Sequence, residues 1–104
     1  MKKDETFVKN DTGKLEWSLL PIEPVEGAVR VLMLGSKKYT PDNWQKCNSY
    51  KRYYEALVRH ITSFWKGEDL DPETKESHLS HAMCCLLFLE WLRTNKPDSD
   101  DRSK

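Results

Sequence analysis

Three histidines carry the chemistry this sequence can offer. His60, His78 and His81 are the only three in the chain. His78 and His81 are spaced i, i+3, so one helix face presents both. Between His60 and His78 lies a segment dense in carboxylates. Residues 67–76 hold five acidic side chains, Glu68, Asp69, Asp71, Glu73 and Glu76, against one lysine. Imidazole nitrogens and carboxylate oxygens converging on one pocket suit a divalent metal ion. The same residues read equally as partly buried histidines that hydrogen-bond loop carboxylates, or as a solvated acidic loop.

A basic stretch runs directly into that loop. Residues 30–66 hold eight basic side chains, among them Lys38, Arg52 and Arg59, against two acidic ones. Such a stretch can bind phosphate, with Trp44 or Tyr39 as a stacking surface for a base. It can also be ordinary soluble surface, with Glu55 and Arg59 as an i, i+4 pair.

Helices must position these groups. Val25, Ala28, Val29, Leu32 and Met33 predict a first helix from about Pro24 to Tyr39. A short helical turn through Trp44 follows Thr40-Pro41. The second helix is the most regular. Ser49 is placed to cap it and Gly67 to end it. Tyr50, Tyr53, Tyr54, Leu57, Val58, Ile61, Phe64 and Trp65 fill its apolar stripe. Arg52 and Arg59 lie opposite. The third helix is predicted from about Ser77 to Thr94. It is apolar almost all round, so it requires cover on every side.

His60 stands near the end of the second helix and His81 near the start of the third. An antiparallel pair therefore brings all three histidines to one level, beside the acidic loop. The expected fold is all-α: a small helical bundle whose αα-hairpin carries the histidines. Residues 1–13 are expected to be flexible, 14–94 to form a single helical domain, and 95–104 to be a disordered tail. A chain of 104 residues has a thin core when alone. The expectation is a homo-oligomer that completes the bundle.

Composition removes other classes. Seventeen basic residues balance seventeen acidic ones, which argues against a nucleic-acid polymer or a membrane surface as partner. An 11% aromatic content with four tryptophans argues against wholesale disorder. The N-terminus lacks an apolar signal region, and the longest apolar run is too short to cross a bilayer. The three cysteines, Cys47, Cys84 and Cys85, form neither a disulfide framework nor a zinc spacing. The expected location is cytoplasmic. There is no P-loop, no GxGxxG and no Ser-His-Asp pattern.

Several short strings occur in a fixed order. They are Asp11-Thr12-Gly13-Lys14, Ser18-Leu19-Leu20-Pro21, Gly35-Ser36-Lys37-Lys38-Tyr39 and Asn43-Trp44. Arg52-Tyr53, Ala56, Arg59-His60, Gly67-Glu68-Asp69, Asp71-Pro72-Glu73-Thr74 and His78-Leu79-Ser80-His81-Ala82 continue them. In this order the strings resemble the phage-borne family of dATP/dGTP diphosphohydrolase amino-terminal domains, over about residues 11–92. The resemblance implies an all-α, metal-dependent enzyme that cleaves a purine deoxynucleoside triphosphate between its α and β phosphates. It implies metal ligands at His60, Asp71, His78 and His81, with Mg²⁺, Mn²⁺ or Zn²⁺ as the ion. Glu68 and Glu73 become the catalytic candidates, holding a second ion or orienting water. Lys14, Lys38, Arg52 and Arg59 would face phosphates.

Two positions depart from the family pattern. Lys75 stands where the family has glycine, and Cys85 where it has asparagine. The chain has neither the His-Asp doublet of HD phosphohydrolases nor the paired acidic helix motifs of MazG-like enzymes, of which Glu23-x-x-Glu26 is a fragment. Two further readings stay open: a nucleotide-binding or sequestering protein without turnover, and a structural helical interaction module.

Overall fold

The computed structural model describes residues 5–104, so residues 1–4 of the expected flexible N-terminus lie outside the described residues. Among the described residues three α-helices make up the fold: α1 (Ile22–Lys38), α2 (Tyr50–Trp65) and α3 (His78–Asn95). Short 3-10 turns occur at Trp17–Leu19, Asn43–Lys46 and Pro97–Ser99. No strand occurs among the described residues, and one isolated bridge pairs Leu70 with Ser77. The all-α fold class expected from the sequence is the one observed.

The α2–α3 hairpin is the main packing unit. Tyr53 of α2 sits over Phe88 of α3, with ring centroids 5.1 Å apart. His60, seven residues on, meets His78 near the start of α3. The two helices therefore run antiparallel. Helix α1 crosses α3 on the other side, and Gly27 makes the crossing possible. A β-carbon there would lie 2.2 Å from the Ser80 hydroxyl oxygen. Cys84 lies one turn further along α3, and its Sγ donates to the Ala28 carbonyl at 3.3 Å. The core is correspondingly small: Ala28, Tyr50, Ala82, Cys84, Cys85 and Leu92 are its buried apolar residues. Leu79, Leu86 and Leu87 of α3 stay exposed, so α3 is not covered on every side.

The helix ends differ from expectation in one instructive way. At α3, Ser77 caps the helix, its Oγ accepting from the Leu79 N–H at 3.0 Å. At α2, Ser49 occupies the cap position, but its hydroxyl does not bond the helix backbone. It donates instead to Asp101. The Asp101 carboxylate accepts the Lys51 backbone N–H at 3.0 Å, so the tail caps the helix. The segment 95–104 was expected to be disordered. In the structure it turns through Pro97–Ser99, buries Ser99 and docks on the start of α2. Lys96 secures the turn by donating to the carbonyls of Gln45 and Cys47 and to the Asn48 side chain. The physical reason is helix-end chemistry. Unpaired N–H groups at the start of α2 need an acceptor, and one arrives from fifty residues away.

Among the described residues, no helix is long and apolar enough to cross a membrane.

Candidate metal centre

The loop between α2 and α3 is built to hold one carboxylate still. Gly67 takes a positive φ of 104° and turns the chain out of α2. The bridge between Leu70 and Ser77 closes the loop at its far end. Within it, Asp71 N–H donates to the Glu76 carbonyl at 2.8 Å. Asp71 Oδ1 accepts from the backbone N–H groups of Glu73 at 2.8 Å and Thr74 at 3.2 Å. This is an Asx-type turn, which fixes the carboxylate before any ligand arrives. Lys75 completes the turn at φ 65°, and its N–H donates to the Asp71 carbonyl at 2.8 Å. Glycine adopts this left-handed conformation freely, and Lys75 holds it with a β-carbon in place.

The histidines converge on that carboxylate. His60 Nδ1 and His78 Nδ1 face each other at 2.9 Å. His60 Nδ1 lies 3.9 Å from Asp71 Oδ2. Ligand atoms from His60, Asp71 and His78 all lie within 4.8 Å of one another. The His81 ring stacks on that of His60, with centroids 4.5 Å apart and planes 8° from parallel. His81 Nε2 meets Thr74 Oγ1 at 2.7 Å.

Glu68 decides which nitrogen of His78 is free. Its carboxylate lies 2.6 Å from His78 Nε2, and the His78 side chain is 4% exposed. A carboxylate accepts, so Nε2 carries the proton. In the neutral ring, the Nδ1 lone pair then points at His60 and Asp71. Two nitrogen lone pairs at 2.9 Å repel unless a proton or a cation lies between them. A carboxylate behind a histidine, fixing its tautomer and raising its basicity, is the usual support of a metal-ligating imidazole. The donor set of two imidazoles and one carboxylate therefore fits a divalent ion.

The electrostatics favour the same state. Burial pushes the His60 pKa below its usual value, and the neighbouring His81 and His78 add to the shift. Burial also lowers His81, against the pull of Asp71. Burial alone would raise the Asp71 carboxyl. The N–H bonds from Thr74 and Glu73, with His81 and His60 nearby, outweigh it and hold the group below its usual range. His60 and His81 thus stay neutral and Asp71 stays charged near neutral pH, as metal ligation requires.

The other sequence candidates lie outside this group. Lys38 and Glu73 belong to the rim and pair with each other at 3.8 Å, tying the end of α1 to the loop. Trp44 stacks on Phe88 at 4.6 Å and meets Trp91 edge-on. It also lines a cleft of about 590 Å³ with Tyr39, Tyr53 and Phe88. Tyr53 closes that cleft by donating its hydroxyl to the Trp44 carbonyl at 2.7 Å. Arg52 and Arg59 are exposed on α2, and among the described residues no ion pair joins Glu55 to Arg59. Lys14 stands apart, in an exposed turn beside Asp11 at 4.0 Å. Thr74 escaped the sequence reading as a site residue. The available signal was its place three residues after Asp71, where its N–H meets the aspartate side chain. Cys85 is buried, and burial pushes its thiol up to about 11. It supplies no polar support to His81.

Comparison with known proteins places the chain in a family. The family model described as dATP/dGTP diphosphohydrolase, N-terminal, matches residues 4–102. A dATP/dGTP diphosphohydrolase of Salmonella phage PMBT28 is 40% identical over 97 residues, which is 93% of this chain and 33% of that protein. The chain thus spans about a third of that relative's length. No solved structure matches the chain significantly. With a family match over nearly its whole length, the chain belongs to the family of dATP/dGTP diphosphohydrolase N-terminal domains.

Proposed function

We propose that this chain binds a purine deoxynucleoside triphosphate together with a divalent metal ion, and acts in its hydrolysis to the monophosphate and pyrophosphate. The observation that carries the reading is the group of His60, Asp71 and His78, with Glu68 fixing the tautomer of His78. The name of the phage relative supplies the substrate class. A divalent ion in such a site neutralises phosphate oxygens and acidifies water.

The chain's own residues have separable tasks. His60, Asp71 and His78 hold the ion, and His81 stands as a further ligand within ring contact of His60. Glu68 orients His78, so it is a positioning residue. Glu73 is exposed at the rim, where it can direct water or bind a second ion. Lys38, at the end of α1, pairs with Glu73 of the loop. It suits a phosphate contact, and Arg59 beside His60 adds positive charge. Along α2, Tyr53 in the cleft is seven residues from His60, about 10 Å of helix rise. A base against Tyr39 and Trp44 would direct its phosphates toward the metal ligands. The cleft volume lies in the range of small-molecule sites.

The test is incubation of purified chain with dATP or dGTP and Mg²⁺, Mn²⁺ or Zn²⁺, with products resolved by chromatography. Monophosphate and pyrophosphate from the wild type, lost in Asp71→Asn, support the reading. Nucleotide binding without product would make the chain a binding domain only. Neither binding nor product would sink the proposal.

A further inference from the structure

The α2–α3 hairpin has a second face, away from the histidines. Tyr54, Val58, Ile61 and Trp65 recur along α2 at spacings of four, three and four, the pattern of a coiled-coil seam. Their stripe lies about 130° around the helix from His60. On α3, Leu79 and Leu86 are one heptad apart. The two stripes share one groove, because Tyr54 and Leu86 line the same cavity of about 580 Å³. All six residues are exposed, Trp65 at 86% and Leu86 at 55%. A soluble monomer rarely leaves so continuous an apolar seam in water.

The surface area says how much is missing. The chain exposes 8726 Å², whereas a compact monomer of its mass exposes roughly 6,100 Å². Its radius of gyration is 18.7 Å, against about 13 Å for a compact domain of this length. The extended segment before α1 accounts for part of the excess, since Phe7, Leu15 and Trp17 are also exposed. The exposed apolar stripes of α2 and α3 add to it.

We propose that the groove seats a second copy of this chain, hairpin against hairpin across a two-fold axis, to form a four-helix bundle. A two-fold pairing requires one self-complementary patch. Two antiparallel seams of matched heptad spacing, one on each helix, provide it. The charges at the groove's end have both signs, Lys51 and Arg93 with Glu90 and Asp101, so a second copy meets no single-sign field. The metal ligands face the other way and stay open in the dimer.

The experiment is sedimentation velocity on the full chain, repeated with Leu86→Glu. The wild type should sediment at twice the chain mass. Leu86→Glu should halve that mass and keep the far-ultraviolet helix signal. A wild type that stays monomeric at high concentration overturns the proposal and leaves the groove to a different chain segment or protein. A Leu86→Glu dimer as tight as wild type also overturns it. Should Leu86→Glu lose its helix signal, a cysteine pair of variants decides. With diamide as oxidant, Val58→Cys should cross-link to its twin and Glu55→Cys, on another face of α2, should not. Equal cross-linking at both positions contradicts the interface.

Discussion

Replacing Lys75 with glycine should stabilise the protein, although it removes a side chain. Lys75 holds φ at 65°. For a residue with a β-carbon, the left-handed conformation costs about 1–2 kcal/mol. Glycine avoids that cost but loses more chain entropy on folding, about 0.5–1 kcal/mol. The Lys75 side chain is exposed and makes no hydrogen bond or ion pair among the described residues, so nothing else is lost. Its backbone N–H keeps the bond to the Asp71 carbonyl in either case. The net gain is on the order of 0.5–1 kcal/mol. For a domain of this size that is a rise in melting midpoint of about 2–8 °C. The assay is thermal melting by circular dichroism at fixed protein concentration, with Lys75→Ala as control. Alanine keeps the β-carbon, so it should not show the gain. A glycine variant that melts at or below wild type would refute the reasoning, as would an alanine variant that gains as much.

Three further outcomes are expected. Gly27→Ala should destabilise the α1–α3 crossing by about 1–3 kcal/mol of overpacking, reduced by about 1 kcal/mol of helix propensity, because the new β-carbon meets the Ser80 hydroxyl; in a Ser80→Ala background most of that loss should vanish, and strictly additive denaturant-unfolding energies would contradict the contact. Burial pushes the Cys84 and Cys85 thiols up to about 11, so at pH 8 a disulfide reagent should modify neither until the protein unfolds; rapid reaction of more than one thiol per native chain would show the core to be open. His60 and His81 have folded pKa values below their unfolded value of about 6.5, so the unfolded chain takes up protons first, and stability that is full above pH 6.5 should fall as pH drops through the folded values. Asp71 is also depressed, and its contribution should be lost only at lower pH, below its unfolded value of about 3.9. A urea midpoint constant or rising from pH 7 to pH 5 in chelator would contradict this sign.

Periodicity carried most of the fold. The stripe from Tyr50 to Trp65 and the run from His78 to Leu92 located α2 and α3 within a residue or two. Helix rise alone placed the three histidines at one level, because a short acidic loop forces the two helices to run antiparallel. Helix α1 starts earlier than expected, at Ile22, with Pro24 within its first turn, where a missing N–H costs nothing. The failures share a cause: they depend on contacts distant in sequence. The tail reads as polar and loose, yet Asp101 supplies the cap that Ser49 was expected to provide. Nor does sequence show that Trp44, proposed at the base, is itself packed on Phe88 and Trp91 of α3. Among the site residues, spacing singled out His60, His78 and His81 and the loop carboxylates as a group. It did not separate Glu68, bonded to His78, from Glu73, paired with Lys38.

The metal centre itself is best tested by titrating chelator-treated protein with Mn²⁺ in a calorimeter, alongside His78→Ala and Glu68→Gln. One ion per chain is expected for the wild type. His78→Ala should lose that binding. Glu68→Gln keeps the volume but not the charge behind His78, and should weaken binding about 10–100-fold. Wild-type affinity retained by His78→Ala, or no heat of binding from the wild type with Mn²⁺, Mg²⁺ or Zn²⁺, would contradict a metal centre at His60, Asp71 and His78.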